Sequence, residues 1–176
     1  LIPLQNAVMA GVGISVILFV IRQSNQIALK RWVVQHDGSV VEVDPPKTVG
    51  AHEVVVLQPY GSLFFAAAPV FEKELPDIDE TSQGSVVILR LRGRSDLGTT
   101  FMDVLSRYGK SLDEVGGALK IVSGDEQLNR QLAITGVTAA IGQQNIYTGD
   151  ERVGATVRRA YADALDWVEH NRPEER

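Results

Sequence analysis

Residues 85–91 of the chain read Ser-Val-Val-Ile-Leu-Arg-Leu, and residues 92–100 continue as Arg-Gly-Arg-Ser-Asp-Leu-Gly-Thr-Thr. The unbroken apolar run from Val86 to Leu89 predicts a strand that is covered on both faces. Beyond the loop, apolar residues spaced i, i+3, i+4, i+7 predict one face of a helix that begins near Gly98. These residues are Phe101, Val104, Leu105 and Tyr108. A strand, a polar loop and a helix in this order form the repeating unit of an α/β fold.

The same alternation continues on both sides of this unit. Three further apolar runs, within residues 53–59, 118–122 and 145–147, predict strands. Helical patterns lie between them at residues 67–75, which Pro76 closes, and at residues 125–135, which Gly136 follows. Because helical crossovers favour parallel strands, the sequence predicts a small parallel or mixed sheet with helices packed on it.

The last segment has the clearest helical pattern. One apolar stripe continues over four turns and consists of Val153, Val157, Ala160, Tyr161, Ala164, Leu165 and Val168. Thr148 and Glu151 have the spacing of a capping box, which predicts that the helix starts close to them.

A β-hairpin is predicted before the first of these strands. Residues 32–35 and 40–43 are short, β-branched runs on either side of His36-Asp37-Gly38-Ser39, and Asp-Gly is a strong signal for a two-residue turn. Asp44-Pro45-Pro46 then interrupts regular structure, and the segment up to His52 is interpreted as a linker.

The N-terminal segment predicts a transmembrane helix. Residues 1–21 contain no charged side chain, and a helix of that length spans roughly 30 Å, the thickness of the bilayer hydrocarbon. Arg22, Lys30 and Arg31 follow, which places the C-terminal side in the cytoplasm by the positive-inside tendency. A small-residue face, formed by Ala7, Gly11 and Ser15, favours close packing against another membrane helix. The alternative is an apolar helix buried in a soluble core.

Charge and cysteine content exclude several classes of function. The chain has no cysteine, which excludes disulfides, thiolate-bound zinc and cysteine nucleophiles. Its net charge is −5, and residues 1–32 carry three basic side chains and no acid, which leaves −8 for the remainder. A surface this acidic repels phosphate backbones, so nucleic acid is not expected as a partner.

The loop at residues 92–100 is the strongest candidate for a functional site. It joins a central strand to a helix N-terminus, where free N–H groups and the helix dipole favour anions. One interpretation is a switch that is phosphorylated or binds phosphate; the other is an ordinary N-cap, because Ser, Asp and Thr are preferred there in any protein. The candidate residues are Arg92, Arg94, Ser95, Asp96, Gly98, Thr99 and Thr100.

Catalytic and metal-binding motifs are not found. Gly93-x-Ser95 resembles a hydrolase nucleophile elbow, but Leu97 stands where the second glycine is required, and only His170 follows Ser95. The three histidines are scattered without the spacing of metal ligands. The sequence therefore predicts no enzyme activity, no metal and no cofactor.

The whole arrangement resembles the C-terminal part of the SulP family of sulfate-permease anion transporters. Residues 2–8, Ile-Pro-Leu-Gln-Asn-Ala-Val, and Arg22-Gln23-Ser24-Asn25 resemble the ends of the last membrane helix in that family. Residues 61–68, residues 85–91 and the loop at 92–100 resemble its STAS domain. In STAS proteins that antagonise anti-sigma factors, the equivalent loop carries an Asp-Ser-Ser-Gly type phosphorylation motif, whereas this chain has Ser95-Asp96-Leu97-Gly98.

The resemblance implies a fragment with four parts: a transmembrane helix (1–22), a hairpin and linker (23–52), a STAS domain (53–171) and a disordered tail (172–176). It further implies a secondary transporter of sulfate, bicarbonate or a related anion in a bacterial inner or plasma membrane, with a cytoplasmic STAS domain that regulates, dimerises or binds a protein or nucleotide. The anion would bind in the remaining membrane bundle, outside this chain. The alternative from another class is a membrane-anchored signalling module with a phospho-switch loop, like the anti-sigma antagonists.

Overall fold

Six strands form one mixed sheet in the computed structural model, which describes residues 4–24, 27–35, 39–61, 63, 67–91, 93–94, 97–149 and 155–172. The strands are β1 (Ala28–Val34), β2 (Val40–Val43), β3 (Val54–Tyr60), β4 (Val86–Arg90), β5 (Ala118–Ser123) and β6 (Ile146–Thr148). Their order across the sheet is β2-β1-β3-β4-β5-β6. Strands β3 to β6 are parallel, whereas β1 is antiparallel to both of its neighbours. The predicted fold class, an α/β domain with a small mixed sheet, is confirmed.

The helices of the described residues are α1 (Leu4–Ser24), α2 (Ala68–Glu74), α3 (Thr99–Glu114), α4 (Glu126–Ile134), α5 (Val137–Ile141) and α6 (Ala155–His170), with short 3₁₀ turns at Glu80–Ser82 and Gln143–Asn145. Helices α2 to α6 cover the two faces of the sheet. Helices α2 to α5 bury one face, where the rings of Phe71 and Phe101 lie 4.4 Å apart between centroids. Helix α6 buries the other face through Val157, Ala160 and Ala164.

This double cover explains the continuous apolar runs. Successive strand residues point to opposite faces, so Val87 and Leu89 enter the core under α2 to α5, and Val86 and Ile88 enter the core under α6. Every one of these side chains is at most 1% exposed. The strand predictions at residues 53–59, 85–91, 118–122 and 145–147 agree with β3 to β6.

The predicted start of the last helix is wrong. Thr148 is the final residue of β6, and α6 begins at Ala155, so Thr148 is not an N-cap. Its hydroxyl instead accepts a hydrogen bond from the Asn129 side chain at 2.8 Å. Glu151 and Val153 lie outside the described residues. The short helix α5 was not predicted, because five residues are too few to show a helical period.

The hairpin lies within the sheet. β1 and β2 pair in antiparallel register, from Arg31 opposite Val43 to Val34 opposite Val40, and the predicted turn at 36–38 lies outside the described residues. The other edge of β1 bonds to β3. The predicted boundary between residues 52 and 53 therefore does not coincide with an edge of the sheet, and the four-part division stays a prediction; residues 173–176 of its tail lie outside the described residues.

Helix α1 has an apolar surface that nothing in the described chain covers. Residues Leu4–Ile21 are long and apolar enough to cross a membrane, with a mean hydropathy of 2.1, and none of this span is buried. The alternative of a helix buried in a soluble core does not describe this arrangement, because a core helix is mostly covered by its own domain.

Candidate functional site

The four parallel strands end along one side of the sheet, which we call the carboxyl edge; it is formed by the ends of β3, β4, β5 and β6, at Tyr60, Arg90, Ser123 and Thr148. The opposite side, where these strands begin, is the amino edge. Helices α3 and α4 both start at the carboxyl edge. Loops at this edge of an α/β sheet are the usual place for ligand binding.

The loop between β4 and α3 has the predicted position at this edge. Arg92, Ser95 and Asp96 lie outside the described residues. Arg94 is half-buried, and its backbone N–H donates to the Leu91 carbonyl at 3.2 Å. Gly93 has a φ of +80°, a left-handed conformation that favours glycine.

The N-cap of the helix that follows is Gly98, so Thr99 and Thr100 do not take that position. Ser95 and Asp96 lie outside the described residues, and for them the N-cap interpretation stays a prediction. Thr99 and Thr100 are the first two helical residues and are both exposed. The first N–H groups of a helix have no intrahelical acceptor, and the anion site predicted at this end of α3 stays a prediction.

A glutamine on α4 holds the end of the loop. Gln131 accepts a hydrogen bond from the Leu97 N–H at 3.0 Å through its Oε1, and its Nε2 donates to the Leu97 carbonyl. Leu97 itself is fully buried. Sequence analysis missed Gln131, because a glutamine in an amphipathic helix carries no signal for a contact with a residue 34 positions away.

The ends of β5 and β6 are joined through the same helix. Asn129 accepts from the Ser123 hydroxyl and donates to the Thr148 hydroxyl at 2.8 Å. Asp125 caps α4, with its carboxylate accepting from the Gln127 N–H at 2.8 Å. Helix α4 is therefore bonded to the loop after β4 and to the ends of the next two strands.

A second polar group, which we call the Lys120 cluster, lies under α6 and consists of Lys120, Asn145, Tyr147 and Asp163. The Lys120 ammonium donates to the Tyr147 hydroxyl at 3.1 Å and to Asn145 Oδ1 at 3.2 Å, and the Tyr147 hydroxyl donates to Asp163 at 2.9 Å. Burial lowers the pKa of Lys120, against the opposing effect of Asp163. Burial, followed by the hydrogen bond to Asp163, raises the pKa of Tyr147 to about 12.

A third group surrounds Trp32 on the same face of the sheet. The Arg90 guanidinium lies 4.5 Å from the centroid of the Trp32 ring, and Arg90 also donates to the Gln58 side chain. Trp32 Nε1 donates to Glu42 at 3.0 Å, and the Tyr60 hydroxyl donates to the same carboxylate. That bond to Glu42 raises the pKa of Tyr60.

The predicted membrane-packing face lies on the open surface of α1. The Ser15 hydroxyl donates to the Gly11 carbonyl at 2.8 Å. A Cβ placed on Gly11 would meet no atom within 4 Å. Ala7, Gly11 and Ser15 are all exposed.

The described residues hold no arrangement typical of catalysis or metal binding. Within them, no three His, Asp or Glu side chains converge on a common metal position. His170 ends α6, and its Nδ1 lies 2.7 Å from the Asp166 carbonyl oxygen. A mixed sheet with helices on both faces and one uncovered apolar helix define an α/β domain that follows a helix long and apolar enough to cross a membrane.

Comparison with family models matches residues 45–158 to the STAS domain. Since this match covers more than half of the 176 residues, the chain belongs to the STAS domain family. Comparison with curated protein sequences finds no significant match.

Solved structures similar to the chain include anion transporters and a sulfate transporter family protein. The structure of SLC26A9 superposes with a TM-score of 0.63 at 14% identity, over 89% of this chain and 27% of that one. The murine Slc26a9 anion transporter, in its inward-facing state, superposes with a TM-score of 0.62 at 17% identity, over 88% of this chain and 25% of that one. A sulfate transporter family protein from Wolinella succinogenes superposes with a TM-score of 0.53 at 25% identity, over 70% of this chain and 93% of that one. The chain thus spans about a quarter of the two long transporters, and at these identities the likeness to them is one of fold.

Proposed function

We propose that this chain is the C-terminal part of a secondary anion transporter of the sulfate-permease type, in which α1 is the last membrane-spanning helix and the STAS domain is cytoplasmic and regulatory. The observation that carries the proposal is an uncovered apolar helix joined directly to a STAS fold. Its span Leu4–Ile21 has no buried residue, and an exposed apolar surface of this size requires lipid or protein around it.

Charge supports the orientation. Arg22, Lys30 and Arg31 follow the apolar span, and residues 1–32 contain no acid. Basic residues close to a membrane helix are retained in the cytoplasm. The STAS domain therefore lies on the cytoplasmic side of the membrane that α1 spans, which is a bacterial inner or plasma membrane.

The transported anion binds outside this chain. Transporters bind substrate near the bilayer midplane between discontinuous helices, and α1 is one continuous helix from Leu4 to Ser24. The partners of α1 are then the remaining helices of the same transporter, and α1 contacts them through Ala7, Gly11 and Ser15. The transporter itself is a homodimer.

The loop at residues 92–100 is the regulatory element of the domain. The exposed Thr99 and Thr100 and the first N–H groups of α3 suit a phosphoryl group, a nucleotide phosphate or an acidic protein partner. Ser95, Asp96 and Arg92 belong to the same loop in the sequence. Because Gln131 holds Leu97, a change in this loop is transmitted to α4.

Uptake of labelled sulfate and bicarbonate by vesicles that contain the full-length protein tests the proposal. We expect uptake of at least one anion above that of empty vesicles. Thr100→Glu, which adds a negative charge at the start of α3, should change the rate, whereas Gln83→Glu, which adds the same charge at the exposed amino edge, should not. Membrane retention without uptake of either anion, combined with phosphorylation of the loop, would favour the anchored signalling module instead.

The membrane position of α1 is tested separately. In the 176-residue chain, Val12→Arg places a charge at the centre of the span, which costs about 2.5–3.5 kcal/mol of insertion free energy, and should reduce the fraction of protein that resists alkaline extraction. Val41→Arg, at an exposed valine of β2, is the matched control and should leave this fraction unchanged. Equal behaviour of the two variants would contradict a membrane-spanning α1.

A further inference from the structure

A small cavity lies at the amino edge of the sheet, where β5 begins. It has a volume of about 180 Å³ and is lined by the first residues of β5 and by the last turns of α3, α5 and α6. We call it the amino-edge cavity. The apolar part of its wall is formed by Leu119, Ala140 and Ile141. Apolar walls that carry a few polar groups are typical of small-molecule sites.

Three polar side chains at the amino-edge cavity are open to a ligand. Asp113, Gln144 and Trp167 line it, and their side-chain polar atoms make no hydrogen bond or ion pair with another described residue. A fourth side chain, that of Asn145, is already engaged. Its Oδ1 accepts from the Lys120 ammonium at 3.2 Å, and its Nδ2 donates to a backbone carbonyl of α5 at 2.6 Å. A ligand in the cavity therefore meets one carboxylate, one amide and one indole.

The charges around the amino-edge cavity favour a cation. Asp113 lies in the last turn of α3 and Trp167 in the last turn of α6, and the C-terminal end of a helix carries about half a negative charge. The Asp113 carboxylate adds to this negative potential, and an indole ring attracts a cation to its face. Lys120 does not line the cavity, and its ammonium is bonded to Tyr147 and Asn145.

From these observations we infer that the amino-edge cavity binds a primary alkylammonium ion, with the ammonium bonded to Asp113 and the alkyl chain packed against Ile141 and Trp167. A water molecule takes about 30 Å³ in the liquid, so a volume of 180 Å³ accommodates about six heavy atoms. This is the size of a short alkyl chain with its ammonium. The inference goes beyond the proposed transport function and does not depend on it, because the cavity includes no residue of α1 or of the loop at 92–100.

The test uses the 176-residue chain in detergent micelles. Trp32→Phe leaves Trp167 as the only tryptophan, so its fluorescence reports on the cavity. n-Butylammonium chloride should change this fluorescence in a saturable manner, with half-saturation in the millimolar range. Sodium chloride at the same ionic strength should not, and neither should n-butanol, an uncharged molecule of the same size.

Two adjacent carboxylates provide a matched pair of variants in this background. Asp113 and Glu114 are both exposed at the end of α3, but only Asp113 lines the cavity. Asp113→Asn should raise the dissociation constant for n-butylammonium by about fivefold or more, because a hydrogen bond to a charged group is lost. Glu114→Gln removes the same charge outside the cavity and should raise it by less than about twofold, since exposed charges are screened.

A second titration distinguishes the sources of the ammonium group, which are a free amine and a lysine side chain of a protein. Binding of Nα-acetyl-lysine amide as tight as that of n-butylammonium supports a protein lysine, whereas binding of n-butylammonium alone supports a free amine. The inference is overturned by no saturable response to n-butylammonium, by an equal response to n-butanol or sodium chloride, or by equal effects of Asp113→Asn and Glu114→Gln.

Discussion

Gln131 on α4 bonds to both backbone polar groups of Leu97, which lies in the loop before α3. The Leu97 N–H donates to Oε1 at 3.0 Å, and Nε2 donates to the Leu97 carbonyl. One side chain thus replaces the backbone partners that a strand or helix would have supplied. The end of the candidate regulatory loop is therefore hydrogen-bonded to α4.

Gln131→Ala should destabilise the domain by about 1–3 kcal/mol, since two partly buried backbone groups lose their partner. The free energy of unfolding, measured by denaturant titration in detergent, checks this value, and hydrogen exchange at the Leu97 amide should become faster. Gln127→Ala, on the exposed side of the same helix, is the control and should change neither. Equal effects of the two substitutions would mean that Gln131 does not hold the loop.

The free energy of unfolding of the domain should increase as the pH rises towards 10.5, because Lys120 loses its proton in the folded state. Burial lowers the pKa of this amine below its ordinary value of 10.5, so the folded state loses the proton before the unfolded state does. The cost of the buried charge is therefore complete at neutral pH and is relieved as the pH rises through the folded pKa. Lys120→Met should remove this rise from unfolding curves recorded across the range, and Lys110→Met, at an exposed position of α3, should preserve it.

The ionisation of Tyr147 should lower the free energy of unfolding as the pH rises above 10. Its pKa is raised from 10 to about 12, so its contribution to stability is complete below pH 10 and is lost as the pH rises through 12. Tyr147→Phe cannot ionise, and the stability of this variant should fall less steeply between pH 10 and 12. Tyr161→Phe, at a half-buried tyrosine on α6, is the control. An unchanged slope in Tyr147→Phe would contradict the assignment.

The strands under two helical layers could be predicted from sequence, because burial on both faces demands unbroken apolar runs such as Val86 to Leu89. The start of α3 near Gly98 and the cap of α4 at Asp125 were also predictable from local signals. The start of α6 could not be predicted in this way. Thr148 and Glu151 have the spacing of a capping box, but Thr148 pairs with β5 and its hydroxyl accepts a hydrogen bond from Asn129.

The position of the candidate site in the chain could be predicted from sequence, but the side-chain contacts that hold it could not. A loop between a buried strand and an amphipathic helix marks the carboxyl edge of the sheet. The contacts that hold that edge, Gln131 to Leu97 and Asn129 to both Ser123 and Thr148, join residues distant in the chain, so no periodicity predicts them. The Lys120 cluster was missed for the same reason, since an isolated lysine in a strand normally indicates an exposed face.

Gly117→Ala should destabilise the turn between α3 and β5 by about 1–3 kcal/mol, as overpacking of a filled site does. A Cβ at this position would lie 2.4 Å from the Ser85 carbonyl oxygen and 3.1 Å from that of Leu112. Both are backbone atoms that also accept hydrogen bonds, from Ala118 and Gly117, and cannot move aside freely. Thermal unfolding measures the loss. Ala118→Gly at the neighbouring position removes a methyl group without a clash, and a larger loss there than in Gly117→Ala would contradict this explanation.

Gly11→Leu tests whether α1 packs against other membrane helices. A Cβ on Gly11 meets nothing within 4 Å in the described residues. Glycine costs about 0.8–1 kcal/mol relative to alanine inside a helix, and leucine ranks next to alanine, so the helix content of the 176-residue chain in micelles should not fall. In the full-length protein, a large side chain on a small-residue face would separate the helices and lower the temperature at which the solubilised protein aggregates. Val12→Leu, on the adjacent face, should leave that temperature unchanged. If Gly11→Leu and Val12→Leu behave alike in the full-length protein, the face formed by Ala7, Gly11 and Ser15 points to lipid.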